Sequence, residues 1–212
     1  PISPPLDVGT RWFVCQGYNN LRITHTGTSA LALDLSGTGC DNSASGANVR
    51  TPLSGTVHYY GETYGSMCIN SKDGRSLSLT HINSDLKAGS QITAQQLVGT
   101  IAAPYLRGNA GIPHLHIQMW STPNCSDERK QIPFDDANLG RICGAPNFTI
   151  EGPDNYQNGT WSGTVFTVQH CDDSRHDAGV YHVFAGTTTG KKYEAYWSKG
   201  NPTITGNYAT LD

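Results

Sequence analysis

Apolar and polar residues alternate in short runs along most of the chain, and no long stretch repeats with a helical period. Residues 76–81 read Ser-Leu-Ser-Leu-Thr-His, and a strict alternation of this kind predicts a half-buried strand. Similar runs predict strands over 11–15, 21–25, 30–35, 55–60, 66–70, 97–101 and 114–120. Gly, Asn, Asp and Ser clusters such as Lys72-Asp73-Gly74 supply the turns between them. One short helical turn is expected near residues 93–96. The pattern predicts an all-β protein whose core is an antiparallel sheet, a sandwich or a rolled sheet with long loops.

Composition changes after Trp120. Residues 121–147 hold three prolines, two cysteines and the charge cluster Asp127, Glu128, Arg129 and Lys130, and read as a long excursion with room for one helical turn. Strand patterns return at 148–151, 160–170, 179–185, 192–197 and 203–209. The expected organisation is therefore a main domain over 1–147 and a small β-rich accessory module over 148–212. The other arrangement open to the sequence is that the late strands extend the first sheet.

The 212 residues allow one good-sized core or one core with a small module. A net charge of −3, with few and scattered Lys and Arg, argues against a nucleic-acid partner. Charged residues make up 15% of the chain, against about 25% in an average soluble domain. Gly, Ser, Thr and Asn fill the gap, a balance expected of loop-rich β proteins working outside the cell. No apolar run approaches the ~20 residues of a membrane span. Six cysteines with no Cys-x-x-Cys pair suit an oxidising compartment. Among the possible pairings, Cys125 with Cys143 is preferred because they bracket one polar segment. The opening Pro1-Ile2-Ser3-Pro4-Pro5 reads as the trimmed end of a mature secreted protein.

Four of the eight histidines and one aspartate stand out. His114 and His116 flank Leu115 in an apolar run, so a strand would put both imidazoles on one face and Leu115 in the core. Such a pair can share a metal, or divide into a ligand and a base. Asp34 interrupts the apolar run 30–35, where a carboxylate is costly unless it is paired or bound to a cation. His25 is the only histidine before Asp34, and residues 26–29 can turn the chain back toward it. Two imidazoles, one carboxylate and one open position make the ligand set of a catalytic zinc. His81 continues the Leu77 and Leu79 face at a strand end, as either a core residue or a site residue.

The order His, Asp, His, His-x-His resembles the lysostaphin and LytM-type zinc endopeptidases, including their beta-lytic branch. Four further segments carry the resemblance in order. They are Gly46-Ala-Asn-Val-Arg-Thr-Pro-Leu-Ser-Gly-Thr-Val57, Leu79-Thr-His-Ile-Asn-Ser84, the pair Leu86-Lys-Ala-Gly-Ser with Leu97-Val-Gly-Thr-Ile101, and Gly111-Ile-Pro-His-Leu-His-Ile117. The resemblance spans about residues 10–120 and leaves 148–212 unaccounted for. It implies one Zn2+ per chain held by His25, Asp34 and His116, with His81 and His114 as catalytic histidines. Two features depart from the pattern. Many members have their first His and Asp four apart, while His25 and Asp34 are nine apart. Leu106–Ile112 also replaces a glycine-rich approach to the final His-x-His.

The resemblance further implies a monomeric secreted or periplasmic peptidase. It would act on bacterial peptidoglycan or Gly-rich peptides through a zinc-activated water and two histidines. A catalytically silent zinc-binding protein of the same fold, acting as a binding or regulatory partner, is the alternative. The presence of both His81 and His114 weighs against it.

Overall fold

In the computed structural model, the described residues are 2–5, 7, 11–16, 24–36, 42–134, 163–167, 180–184, 194–196, 202–205 and 208–211; for 11–16 and from 163 on, this covers the backbone only. The strands are β1 (Arg11–Gln16), β2 (Leu33–Ser36), β3 (Asn48–Arg50), β4 (Gly55–Gly61), β5 (Ser66–Ser71), β6 (Ser76–Thr80), β7 (Ile82–Asn83), β8 (Gln91–Ile92), β9 (Leu97–Ile101) and β10 (Leu115–Trp120). Five more follow: β11 (Gly163–Thr167), β12 (Val180–Phe184), β13 (Glu194–Tyr196), β14 (Pro202–Thr205) and β15 (Tyr208–Leu211). The alternating runs thus become strands, as their period of two requires.

The main sheet runs β12-β11-β1-β2-β10-β6-β5-β4-β8, and every pairing in it is antiparallel. A small antiparallel sheet, β3-β9-β7, stands apart from it. The third sheet, β13-β15-β14, contains a parallel pair, β13 with β15. β11 lies beside β1, so the backbone of two late strands continues the main sheet. The strand expected at 148–151 lies outside the described residues.

Alternation gives the central strands two distinct faces. Leu77 and Leu79 of β6, Leu115, Ile117 and Met119 of β10, and Met67 and Ile69 of β5 are all fully buried. They form one cluster with Val49, Ile82, Val98 and Ile101 of the small sheet, which therefore covers this face. The opposite face carries Ser78, Thr80, His116 and Gln118, and it is on this face that a cleft opens.

Several local expectations are corrected. Residues 30–31 belong to a turn, and the strand begins only at Leu33, because a 3-10 helix at Gly27–Ser29 uses the preceding backbone groups. His25 does not end a strand. The Thr26 N–H donates to Thr24 O at 2.9 Å, placing His25 at the apex of a tight turn. Residues 93–96 form one hydrogen-bonded turn and no helix, closed by Gln96 N to Thr93 O at 3.0 Å.

The preferred pairing of Cys125 with Cys143 is also wrong. Cys125 is bonded to Cys68, with a Cα–Cα distance of 6.1 Å. Sequence proximity misled here. The 3-10 helix Pro123–Cys125 folds back over β5, where two hydrogen bonds of 2.8 Å join Asn70 and Asn124. The bridge closes a loop of 57 residues in sequence separation. Loop-closure entropy of that size predicts a loss of about 2–4 kcal/mol when Cys68 and Cys125 are both changed to serine. Equilibrium urea unfolding of the double variant measures it; an unchanged midpoint would contradict the estimate.

Candidate metal centre and catalytic groove

The register between β2 and β10 sets Asp34 directly opposite His116. Opposed residues of antiparallel strands project from the same face, so the carboxylate and the imidazole meet. The Asp34 Oδ1 lies 2.9 Å from His116 Nδ1 and 3.2 Å from His25 Nε2. One ligand atom from each of His25, Asp34 and His116 falls within 4.8 Å of the others. Zinc held at about 2.0–2.2 Å from each N or O donor needs neighbouring donors roughly 3.3 Å apart. The observed 2.9 and 3.2 Å fit that requirement, and so does the chemistry of two imidazoles with one carboxylate. His25 is fully buried and Asp34 is 6% exposed, so a cation here is shielded from water on the protein side. Burial by itself raises the Asp34 pKa. The His114 charge and the hydrogen bonds from His116 and His25 outweigh it and hold the carboxyl well below its usual range.

His81 reaches this centre by an unexpected route. Continued alternation would place it with Leu77 and Leu79 on the buried face. Its φ of 67° is left-handed, which reverses the side chain and sends the imidazole to the cleft. Tertiary bonds hold this conformation: the His81 N–H donates to Tyr64 O at 3.0 Å, and its carbonyl accepts from Ala102 N at 2.9 Å. The expectation that His81 extends the Leu77–Leu79 face is therefore overturned.

His81 and His114 share one arrangement. His81 Nδ1 lies 2.6 Å from Arg107 O, and His114 Nδ1 lies 2.6 Å from Ile112 O. A carbonyl only accepts, so each Nδ1 carries a proton and each Nε2 is left for other partners. The two ring centroids are 4.6 Å apart, and His114 Nε2 is 3.6 Å from Asp34 Oδ1. Burial first, then the neighbouring His114 charge, lowers the His81 pKa to about 4.

Both carbonyls come from the loop between β9 and β10. This loop holds Tyr105, Arg107 and Ala110 at positive φ. Asn109, 1% exposed, staples it by donating Nδ2 to Ala102 O at 3.2 Å and Ala103 O at 2.9 Å while its Oδ1 accepts from Gly111 N. Sequence reasoning overlooked Arg107 and Asn109 as positioning residues. Their only signal was an Arg and an Asn among the glycines of this loop.

The cleft has a volume of about 430 Å³. Small hydroxyl side chains such as Ser66, Ser78 and Thr80 line it, along with Tyr59, Tyr64 and Trp120. Tyr59 reaches the cleft because a β-bulge between Val57 and Tyr59 shifts the register of β4 on β5. His58, on the same strand, is exposed.

Structural comparison finds similar folds in solved proteins. The M23 metalloprotease pseudoalterin from the deep sea shares 14% identity over 76% of this chain and 94% of its own, with a TM-score of 0.51. SpoIIQ in its pore-forming complex with SpoIIIAH matches at 16% identity over 62% of this chain and 86% of its own, with a TM-score of 0.45. The catalytic domain of lysostaphin from Staphylococcus simulans matches at 16% over 59% of this chain and 89% of its own, with a TM-score of 0.42. No curated protein sequence matches the chain. The model of peptidase family M23 matches residues 36–130, a stretch that includes His81, His114 and His116 and begins just after Asp34. Residues 36–130 thus match peptidase family M23, and the antiparallel β fold is shared with an M23 metalloprotease.

Proposed function

We propose that this chain is a secreted zinc endopeptidase that cuts peptide bonds in bacterial peptidoglycan, in stem or cross-bridge peptides rich in small residues. Members of family M23, whose model matches residues 36–130, are zinc metallopeptidases that hydrolyse peptidoglycan. The observation that carries the reading is the convergence of His25, Asp34 and His116 beside two imidazoles that loop carbonyls hold through Nδ1. His25 Nε2, Asp34 Oδ1 and His116 Nδ1 would hold the metal. A zinc there supplies Lewis acidity and lowers the pKa of a coordinated water toward about 7.

The chain's own groups divide the remaining work. His81 is neutral at pH 7, with Nε2 unprotonated and Nδ1–H fixed on Arg107 O. It is assigned as the proton acceptor. Burial then favours rapid return of that proton to the leaving amine. His114, held through Nδ1 by Ile112 O and facing Asp34, is assigned to the developing oxyanion, to which an Nε2–H would donate. The small hydroxyl side chains in the cleft leave room for an extended peptide backbone. Residues 148–212 are assigned an accessory role in substrate or wall binding.

Incubation with defined muropeptides and oligoglycines, with products read by mass spectrometry, tests the proposal. A chelator should stop cleavage, and one equivalent of zinc should restore it. Cleavage that survives complete metal removal would overturn the metal mechanism. Stoichiometric zinc without any product would favour the silent zinc-binding reading.

A further inference from the structure

His25 is the one metal-binding candidate that sits outside a strand. It lies nine residues before Asp34, on a segment made of a tight turn, the 3-10 helix Gly27–Ser29 and a further turn. That segment belongs to no strand, so no sheet register places the imidazole. Two glutamines from elsewhere hold its backbone. Gln118 of β10, 4% exposed, donates Nε2 to Thr28 O and to Gln131 Oε1. Gln131 donates Nε2 to Gly27 O at 2.8 Å and to Glu128 O at 3.0 Å. The same Gln131 Oε1 accepts from Leu31 N at 3.0 Å.

We propose that Gln118 and Gln131 are positioning residues that fix the His25 loop against β10 and thereby set the metal affinity of the centre. The amide side chain suits this task. Each bond needs a donor and an acceptor on one rigid group, and carbonyls at positions 27 and 28 require donors while the Leu31 N–H requires an acceptor. Gln118 lies two residues after His116 on the same strand face, so the clamp ties the loop to the strand that carries the other imidazole. Both amides are joined through Gln131 Oε1, so loss of either loosens the loop at more than one point. This inference rests on the zinc-peptidase reading of the same centre.

The test measures zinc affinity by competition with a chelator of known strength, together with the visible spectrum of the cobalt-substituted protein. Gln131→Glu keeps the shape and the acceptor for Leu31 N–H but lacks the donors for Gly27 O and Glu128 O. Gln131→Ala and Gln118→Ala remove the clamp outright. Each variant should bind zinc roughly 10–100-fold more weakly than the wild type, with an altered cobalt spectrum. In a His25→Ala background, whose residual zinc affinity is already far lower and is read with a weaker competing chelator, the same changes should cost no more than about twofold further, since their effect passes through His25. Thermal melting of chelator-treated protein establishes that each variant folds, and the isosteric Gln131→Glu serves if the alanine variants do not. Zinc binding within about twofold of wild type, or equal losses with and without His25, would overturn the inference. If the wild type itself takes up no zinc, the inference and the zinc-peptidase reading fall together. One zinc in the wild type with unaltered variants removes the inference alone.

Discussion

Replacing His116 by alanine should release the metal and end hydrolysis. His116 Nδ1 stands 2.9 Å from Asp34 Oδ1, the closest contact between ligand candidates in the centre. Its removal leaves one imidazole and one carboxylate, below the three protein ligands that a catalytic zinc requires. It also strips a buried carboxylate of a hydrogen bond that holds its pKa down. Zinc affinity should fall by well over about 100-fold, more than a change in a supporting residue produces. Cleavage of a defined muropeptide should drop to background. Elemental analysis after gel filtration and mass spectrometry of products read the two effects. A His116→Ala protein with stoichiometric zinc and near-normal turnover would remove this histidine from the centre.

His81→Asn should separate binding from turnover. His81 is absent from the three-residue ligand cluster, and its Nδ1 is committed to Arg107 O. Zinc content should stay at one per chain while kcat falls by roughly 10²–10⁴, the usual worth of a general base. The variant also has a signature in stability. In the folded protein the His81 pKa is about 4, against 6.5 for an unperturbed histidine. Between those values the unfolded chain binds more protons than the folded one, so stability falls as pH falls. At about 1.4 kcal/mol per unit, the loss between pH 6.5 and 4 should reach no more than about 3 kcal/mol in chelator-treated protein. His81→Asn should flatten that slope. Identical slopes in both proteins, measured by urea unfolding at several pH values, would show that His81 is not held neutral by its surroundings.

Much of the site can be read from the residues because it lies on regular strands. The two-residue spacing of His114 and His116 puts them on one face wherever the chain is extended. Asp34 between Leu33 and Leu35 marks a carboxylate that must find a partner. Both inferences use only the period of a strand, and the β2–β10 register then places Asp34 against His116. The assignments that failed lie where that period breaks. A left-handed φ turns His81 from the core to the cleft, and a bulge brings Tyr59, for which the pattern had given no place, to the same cleft. Neither residue type announces such a backbone, since glycine is the usual occupant of positive φ.

The sequence by itself determined most strands of the main sheet, its buried face and the residue types able to hold a metal. Alternation and side-chain chemistry are local properties, written one residue at a time. Only the tertiary structure decided which of those groups meet. It joined Cys68 to Cys125, brought the His25 loop under Gln118 and Gln131, and aimed two imidazoles with carbonyls from the 103–112 loop. Each of these depends on hydrogen bonds or a covalent link between segments distant in the chain. Their energies exist only once the sheet has brought the segments together.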